Sequence, residues 1–226
     1  AIQQKNLVAD ISLQITIPNE FQKLTPVNIG YTAGIESSKV SPDWLQKGNE
    51  KVDKILVVSN HAKNSYENTV AQAQTQDGTI IPYKLETPVE VVWENTPREE
   101  PEEIDNFELP CDFNFLCVSQ LGPRKNFGNT IRWFIEEFFD QEVGLVLKVS
   151  SRNNSLIDRQ HTERNLSSVL EEYPDRKCKV YLLHGDLTGG QMTTLYSHPK
   201  IKAMINVSHG EGFGLPMFEA AREGLP

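Results

Sequence analysis

Residues 203–222 constrain the fold more than any other part of the chain. An apolar run at 203–207 reads as a buried strand, three glycines follow at positions 210, 212 and 214, and the apolar-rich segment 215–222 reads as a helix. Strand ends that feed helix starts belong to α/β units with a parallel sheet. The same order suits an anion. Glycines let the backbone approach it, and the N–H groups and dipole at a helix N-terminus favour it. A glycine-rich turn with no ligand is the plainer alternative. Two carboxylates, Glu211 and Glu219, bracket the turn, and each can accept two sugar hydroxyls.

The rest of the chain repeats the pattern. In the first half, strands are expected at 10–17, 27–32 and 54–58, with helices opening at Ser41-Pro42, running to about Asn49, and at Ser59. Asp77-Gly78 marks a turn, and 79–85 and 89–93, divided by Pro88, read as a hairpin or a pair of edge strands. From 94 to 110 three prolines and seven acidic residues read as a solvated linker, or else as a charged surface loop. The second half alternates more cleanly, with strands at 113–118, 143–149, 179–183 and 203–207. Helices are expected at 126–139, 155–173, 188–197 and 215–222. The division is therefore a first domain at 1–95, an acidic linker at 96–112 and a second domain at 113–226.

A chain of 226 residues holds one large domain or two small ones. No apolar run approaches the ~20 residues of a membrane span, and residues 1–10 lack the basic start and apolar run of a signal peptide. Three unclustered cysteines read as reduced thiols of a cytoplasmic protein. A net charge of −9 argues against general nucleic-acid binding, so cations that hold a phosphate must be local. Such cations stand at Arg124 and Lys125, after a strand and a Gly122-Pro123 turn. Arg offers a planar fork and Lys a point charge, a pair suited to a diphosphate at the C-terminal edge of a sheet; a solvated basic turn is the alternative. Lys148 breaks an apolar strand near its C-terminal end, where it could reach the same anion or snorkel from an edge strand.

The string Glu211-Gly212-Phe213-Gly214-Leu215-Pro216 with Glu219-Ala220 and Gly224-Leu225-Pro226 resembles the E-x7-E signature of retaining nucleotide-sugar glycosyltransferases of the GT-B fold, family 4 type. The resemblance implies two Rossmann-like domains, both incomplete at the chain ends, as in a fragment of a longer enzyme. It implies Glu211 and Lys125 as catalytic residues. Donor binding falls to Arg124, Lys148, Gly185, Gly212, Phe213, Gly214, Leu215 and Glu219, with Asp186 beside the nucleotide base. The family's first loop Arg is replaced by Ser119-Gln120 here, and the acceptor-side His of many relatives is absent at Thr32-Ala33-Gly34, which leaves Glu36 as the acceptor candidate. His61 and His209 are read as residues that shape a helix start and a loop.

The reaction implied is transfer of a sugar, with retention, from a nucleotide diphosphate sugar to a hydroxyl of a glycan, lipid or small-molecule acceptor. No Asp-x-Asp motif stands where this fold uses one, so no metal and no cofactor is expected. Nucleic acid is not a partner, and peripheral membrane contact of the intact protein is allowed. The alternatives are an inactive donor-binding fragment, a sugar-nucleotide epimerase or a phosphorylase.

Overall fold

The computed structural model describes residues 9–226. Residues 1–8, which carry the start of the first domain and most of the segment read for a signal peptide, lie outside the described residues. The chain divides into two compact units, Ala1–Asn95 with Glu211–Phe213, and Thr96–Gly210 with Gly214–Pro226.

The first unit holds β1 (Ile11–Ile15), β2 (Val27–Thr32), α1 (Pro42–Lys51), β3 (Lys54–Val57), α2 (Asn60–Glu67), β4 (Ala71–Gln74), β5 (Ile80–Tyr83) and β6 (Val89–Val91). Four strands form a parallel sheet in the order β1-β2-β3-β6. Its core gathers Phe21, Ile35, Leu45, Ile55, Val57 and Tyr66. Gly30 is fixed by this packing, because a Cβ there would lie 2.3 Å from Cζ of Phe21. Two expectations change. The Asp77-Gly78 turn joins β4 to β5 in an antiparallel hairpin, whereas the strand after Pro88 runs parallel to β3. β4 went unseen because Ala71–Gln74 alternates alanine with glutamine, too weakly apolar to read as a strand. In β1 the alternation holds with its expected sense reversed. Ser12 is buried and donates to Oδ1 of Asn28 at 3.0 Å, while Ile11, Leu13 and Ile15 are exposed.

The second unit holds β7 (Asn114–Gln120), α3 (Phe127–Phe138), β8 (Gly144–Ser150), α4 (Leu156–Leu170), β9 (Lys179–Leu183), α5 (Gly189–Tyr196), β10 (Ile201–Met204) and α6 (Leu215–Arg222). Its sheet is parallel, in the order β10-β7-β8-β9. One core packs Leu145, Leu147 and Val149 of β8 against Ile131, Phe134 and Ile135 of α3 and Leu166 and Val169 of α4. The other packs Leu116 and Val146 against Leu195 and Tyr196 of α5 and Ala220 of α6. Both faces of the sheet are thus covered, as a parallel sheet with crossover helices requires. The last strand begins and ends earlier than 203–207. It starts at Ile201, and past Met204 one further backbone bond, Ile205 N–H to Leu116 O at 2.8 Å, continues the pairing.

The acidic stretch after Asn95 packs on α5 and α6. The Arg222 guanidinium donates to the carbonyls of Thr96 and Pro97, and Arg98 pairs with Glu223 at 3.1 Å. Glu102 N–H donates to Gly190 O, and the hydroxyls of Thr188 and Thr194 donate to the Glu102 carboxylate and carbonyl. A Cβ on Gly190 would lie 2.4 Å from Glu100 O, so the second glycine of α5 is what admits this stretch. Among the described residues no helix is long and apolar enough to cross a membrane. Cys111, Cys117 and Cys178 are free and buried.

Candidate functional site

The connections of the second sheet locate its ligand edge. From β7 the chain moves through β8 to β9, then crosses to β10 on the other side of β7. Open parallel sheets place their ligands at the carboxyl ends of the strands where the order reverses, here at the loops after β7 and β10. Those loops carry the Arg124-Lys125 pair and the glycine-rich turn.

The two loops are tied together. His209 N–H donates to Arg124 O at 2.9 Å, the Arg124 guanidinium donates to Gly210 O, and Asn126 Nδ2 donates to Val207 O at 3.3 Å. Arg124 is half-buried, and part of its donor fork is committed to this carbonyl. Lys125 ends a short 3-10 turn, Pro123–Lys125, with its own N–H on Gly122 O at 3.0 Å. Gly214 is buried with φ of 84° and serves as N-cap of α6, a left-handed conformation that favours glycine. The helix start offers fewer donors than a plain N-terminus. Pro216 has no N–H, and the N–H groups of Met217 and Phe218 turn back onto Gly214 O. Leu215 N–H, at the first helical position, has no partner among the described residues.

Glu219 lies in the second turn of α6, half-buried, and accepts the hydroxyl of Tyr196 at 2.9 Å. Burial, and then the neighbouring Glu219, push the Tyr196 pKa well up, so the phenol stays a donor and holds the carboxylate. Lys148 belongs to the central strand β8, not an edge strand, and pairs in register with Val118 and Leu183. Its ammonium donates to Gly185 O at 2.7 Å. Burial pushes its pKa down and Asp186 opposes that shift. Gly185 has φ of 121°, open only to glycine at low cost. Asp186 is exposed and accepts from Nδ2 of Asn154.

The residues expected at this site divide between the units. Arg124, Lys125, Lys148, Gly185, Gly214, Leu215 and Glu219 fall in the second. Glu211, Gly212 and Phe213 group with the first, as does Glu36, exposed in the loop after β2. Within the first unit a Cβ on Gly212 would lie 2.2 Å from Ala33 O, so close backbone approach alone demands glycine there. His61 opens α2 and faces Ser37 O at 3.1 Å.

Two residues had gone unnoticed as site supports. Tyr196 was one. The other is Asp158, whose carboxylate accepts from Ser151 N–H and Arg152 N–H and bonds Nε2 of the buried His184, each at 2.9 Å. Burial alone would raise its pKa; the bonds from His184 and the two N–H groups outweigh that and hold it below the usual carboxylate value. This pair locks the loop after β8 to the loop after β9. The available signal was Ser155-x-x-Asp158, the spacing of a helix cap.

The fold class is α/β of the GT-B type, with two Rossmann-like units. The chain is similar in structure to OtsA in its apo form, with a TM-score of 0.55 and 10% identity over 87% of this chain and 50% of that one. A trehalose-6-phosphate synthase studied for glycosyl transfer with retention aligns with a TM-score of 0.49 and 10% identity, over 88% of this chain and 57% of that one. In sequence the chain is similar to the serotype-specific mannosyltransferase WbdA of Escherichia coli, 29% identical over 113 residues. That match covers 50% of this chain and 13% of WbdA, so the chain spans a small part of this relative's length. No protein-family model matches the chain.

Proposed function

We propose that this chain is part of a retaining, family 4-type glycosyltransferase that moves a sugar from a nucleotide diphosphate sugar to an acceptor hydroxyl. One observation carries the reading. At the strand-order reversal of the second sheet, a basic loop and a glycine-rich loop are bonded to each other through His209 N–H and Arg124 O. The similarity to a mannosyltransferase over half the chain supports it and makes a mannosyl donor the first to test.

In this reading the diphosphate leaves with growing negative charge while the sugar becomes oxocarbenium-like. Lys125, Arg124 and backbone N–H groups from Gly212 to Leu215 meet that charge, and no metal takes part. Glu211 holds sugar hydroxyls near the reacting carbon, and Glu219, steadied by Tyr196, holds the ribose. Lys148 keeps Gly185, and with it the base-side loop, in place. Retention rests on the resemblance of the Glu211 to Glu219 signature. The acceptor is a glycan, lipid or small molecule, with Glu36 its candidate contact, and the enzyme works in the cytoplasm.

Calorimetric titration with GDP-mannose, GDP and UDP, beside a turnover assay on the intact enzyme, tests the proposal. Lys125→Ala and Glu211→Ala are expected to abolish transfer without changing the melting temperature. Binding without turnover in the intact enzyme favours an inactive donor-binding protein. Failure of every nucleotide to bind refutes the proposal.

A further inference from the structure

The second unit has a cleft beside the loop that carries Arg124 and Lys125. It has a volume of about 1010 Å³ and opens between the first turns of α3 and α4. Gly122, Pro123 and Asn126 of the basic loop line it, but neither Arg124, Lys125, Lys148, Gly185 nor Glu219 does. Ligand pockets commonly measure roughly 300–1,000 Å³, so this one has room for more than a single sugar ring.

Its charge is unusual for a chain of net charge −9. The chain has eight arginines. Six of them, Arg98, Arg124, Arg132, Arg159, Arg176 and Arg222, donate to carboxylates or carbonyls. The guanidiniums of the other two, Arg152 and Arg164, have no partner among the described residues, and both line this cleft. The one carboxylate in the lining, Asp158, is 7% exposed, and its oxygens are taken by His184 and two backbone N–H groups. The side of α3 adds donors. Asn126 caps that helix in a left-handed conformation, with its Oδ1 on the Asn129 side-chain amide at 2.7 Å rather than on a backbone N–H, and the N–H groups of Phe127, Gly128 and Asn129 have no partner among the described residues. Asn129, Asn153 and Asn165 also line the cleft; each makes one bond within the chain, Asn129 Nδ2 to Asn126 Oδ1, Asn153 Oδ1 from Ser155 N–H and Asn165 Nδ2 with His161 Nε2, and an amide has further donor and acceptor capacity for a hydroxyl, while Phe127 offers a ring. Unpaired planar forks select carboxylate or phosphate. Amides beside a ring select sugar hydroxyls and the C–H face of a pyranose.

We propose that this cleft binds an anionic saccharide, a carboxylate- or phosphate-bearing stretch of glycan, at a site that adjoins the Arg124-Lys125 loop and uses neither of those two side chains. The preference for a negative charge follows from the unpartnered arginines; that the ligand is a glycan rests also on the glycosyltransferase reading.

The test is calorimetry on the wild-type chain with four probes: trigalacturonate, mannose 6-phosphate, neutral maltotriose and inorganic phosphate. At least one charged saccharide is expected to bind about tenfold or more tightly than maltotriose and inorganic phosphate, and which one identifies the anionic group. In R152Q/R164Q that affinity falls about tenfold or more, while the melting temperature and the nucleotide titration stay as in the wild type. R159Q, which removes an arginine already paired with Glu163, leaves saccharide binding unchanged. The proposal is overturned if no charged saccharide binds, if maltotriose or inorganic phosphate binds as tightly, or if R152Q/R164Q binds like the wild type. Charged-saccharide binding without nucleotide binding sinks the glycosyltransferase reading and leaves the cleft; the reverse sinks the cleft alone.

Discussion

Replacing Lys148 with methionine separates what this lysine does for the fold from what it does for a ligand. Its ammonium donates to Gly185 O at 2.7 Å, and a hydrogen bond from a charged donor contributes about 1.5–3 kcal/mol. Half-burial opposes this, since it disfavours the charge and pushes the pKa down. Methionine keeps the methylenes beside Val118 and Leu183 and removes both terms, so the net change in stability should stay within about 1 kcal/mol, or about 2–4 °C in Tm. Donor affinity should respond differently. Losing one charged group and the anchor of the Gly185 loop removes about 1.5–3 kcal/mol of binding, roughly a 10- to 150-fold rise in Kd. Thermal melts and calorimetric titration of GDP-mannose, both at neutral pH, read the two quantities. An unchanged Kd, or a fall in Tm above about 8 °C, would refute the reasoning, because Lys148 would then be either a bystander or a fold determinant.

Three further outcomes follow from the geometry. Tyr196→Phe leaves the buried ring in place but frees Glu219, so donor affinity should drop about fivefold, as for one hydrogen bond, with Tm within about 4 °C; titration and melting check this. Gly144→Ala puts a Cβ 1.9 Å from Oδ1 of Asn114, whose Nδ2 is held by Cys111 O and Lys200 O. The overpacking should cost about 2–4 kcal/mol, a Tm loss of about 4–16 °C. Asp158, its folded pKa lowered, stabilises fully above the unfolded carboxylate value of about 4, and that contribution is lost as pH falls through the lower folded value. The Tm difference between wild type and Asp158→Asn should therefore shrink on acidification below about pH 4; a constant difference would show that the charge is not what matters.

Much of the fold was legible in the order of residues because it rests on local periodicity. The strands at 27–32 and 179–183 and the helix at 215–222 stand where apolar period and caps place them. The hairpin at 71–83 was not legible, since Ala71–Gln74 forms a strand only by pairing with Ile80–Tyr83. β1 shows the same limit from the other side. Its alternation is plain, but whether Ser12 or the isoleucines point inward depends on Asn28, sixteen residues away.

The chemistry divides likewise. By themselves the residue types determined an α/β chain with cations before one helix and glycines before another, because charge, missing side chains and helix caps are local properties. Only tertiary structure decided which of these groups already have partners. It gave Arg124 a carbonyl, Glu219 a tyrosine and Lys148 the Gly185 carbonyl, and it left Arg152 and Arg164 without a partner among the described residues. Partnering depends on which loops the strand order brings side by side, and in a parallel sheet that order is set by crossovers spanning tens of residues.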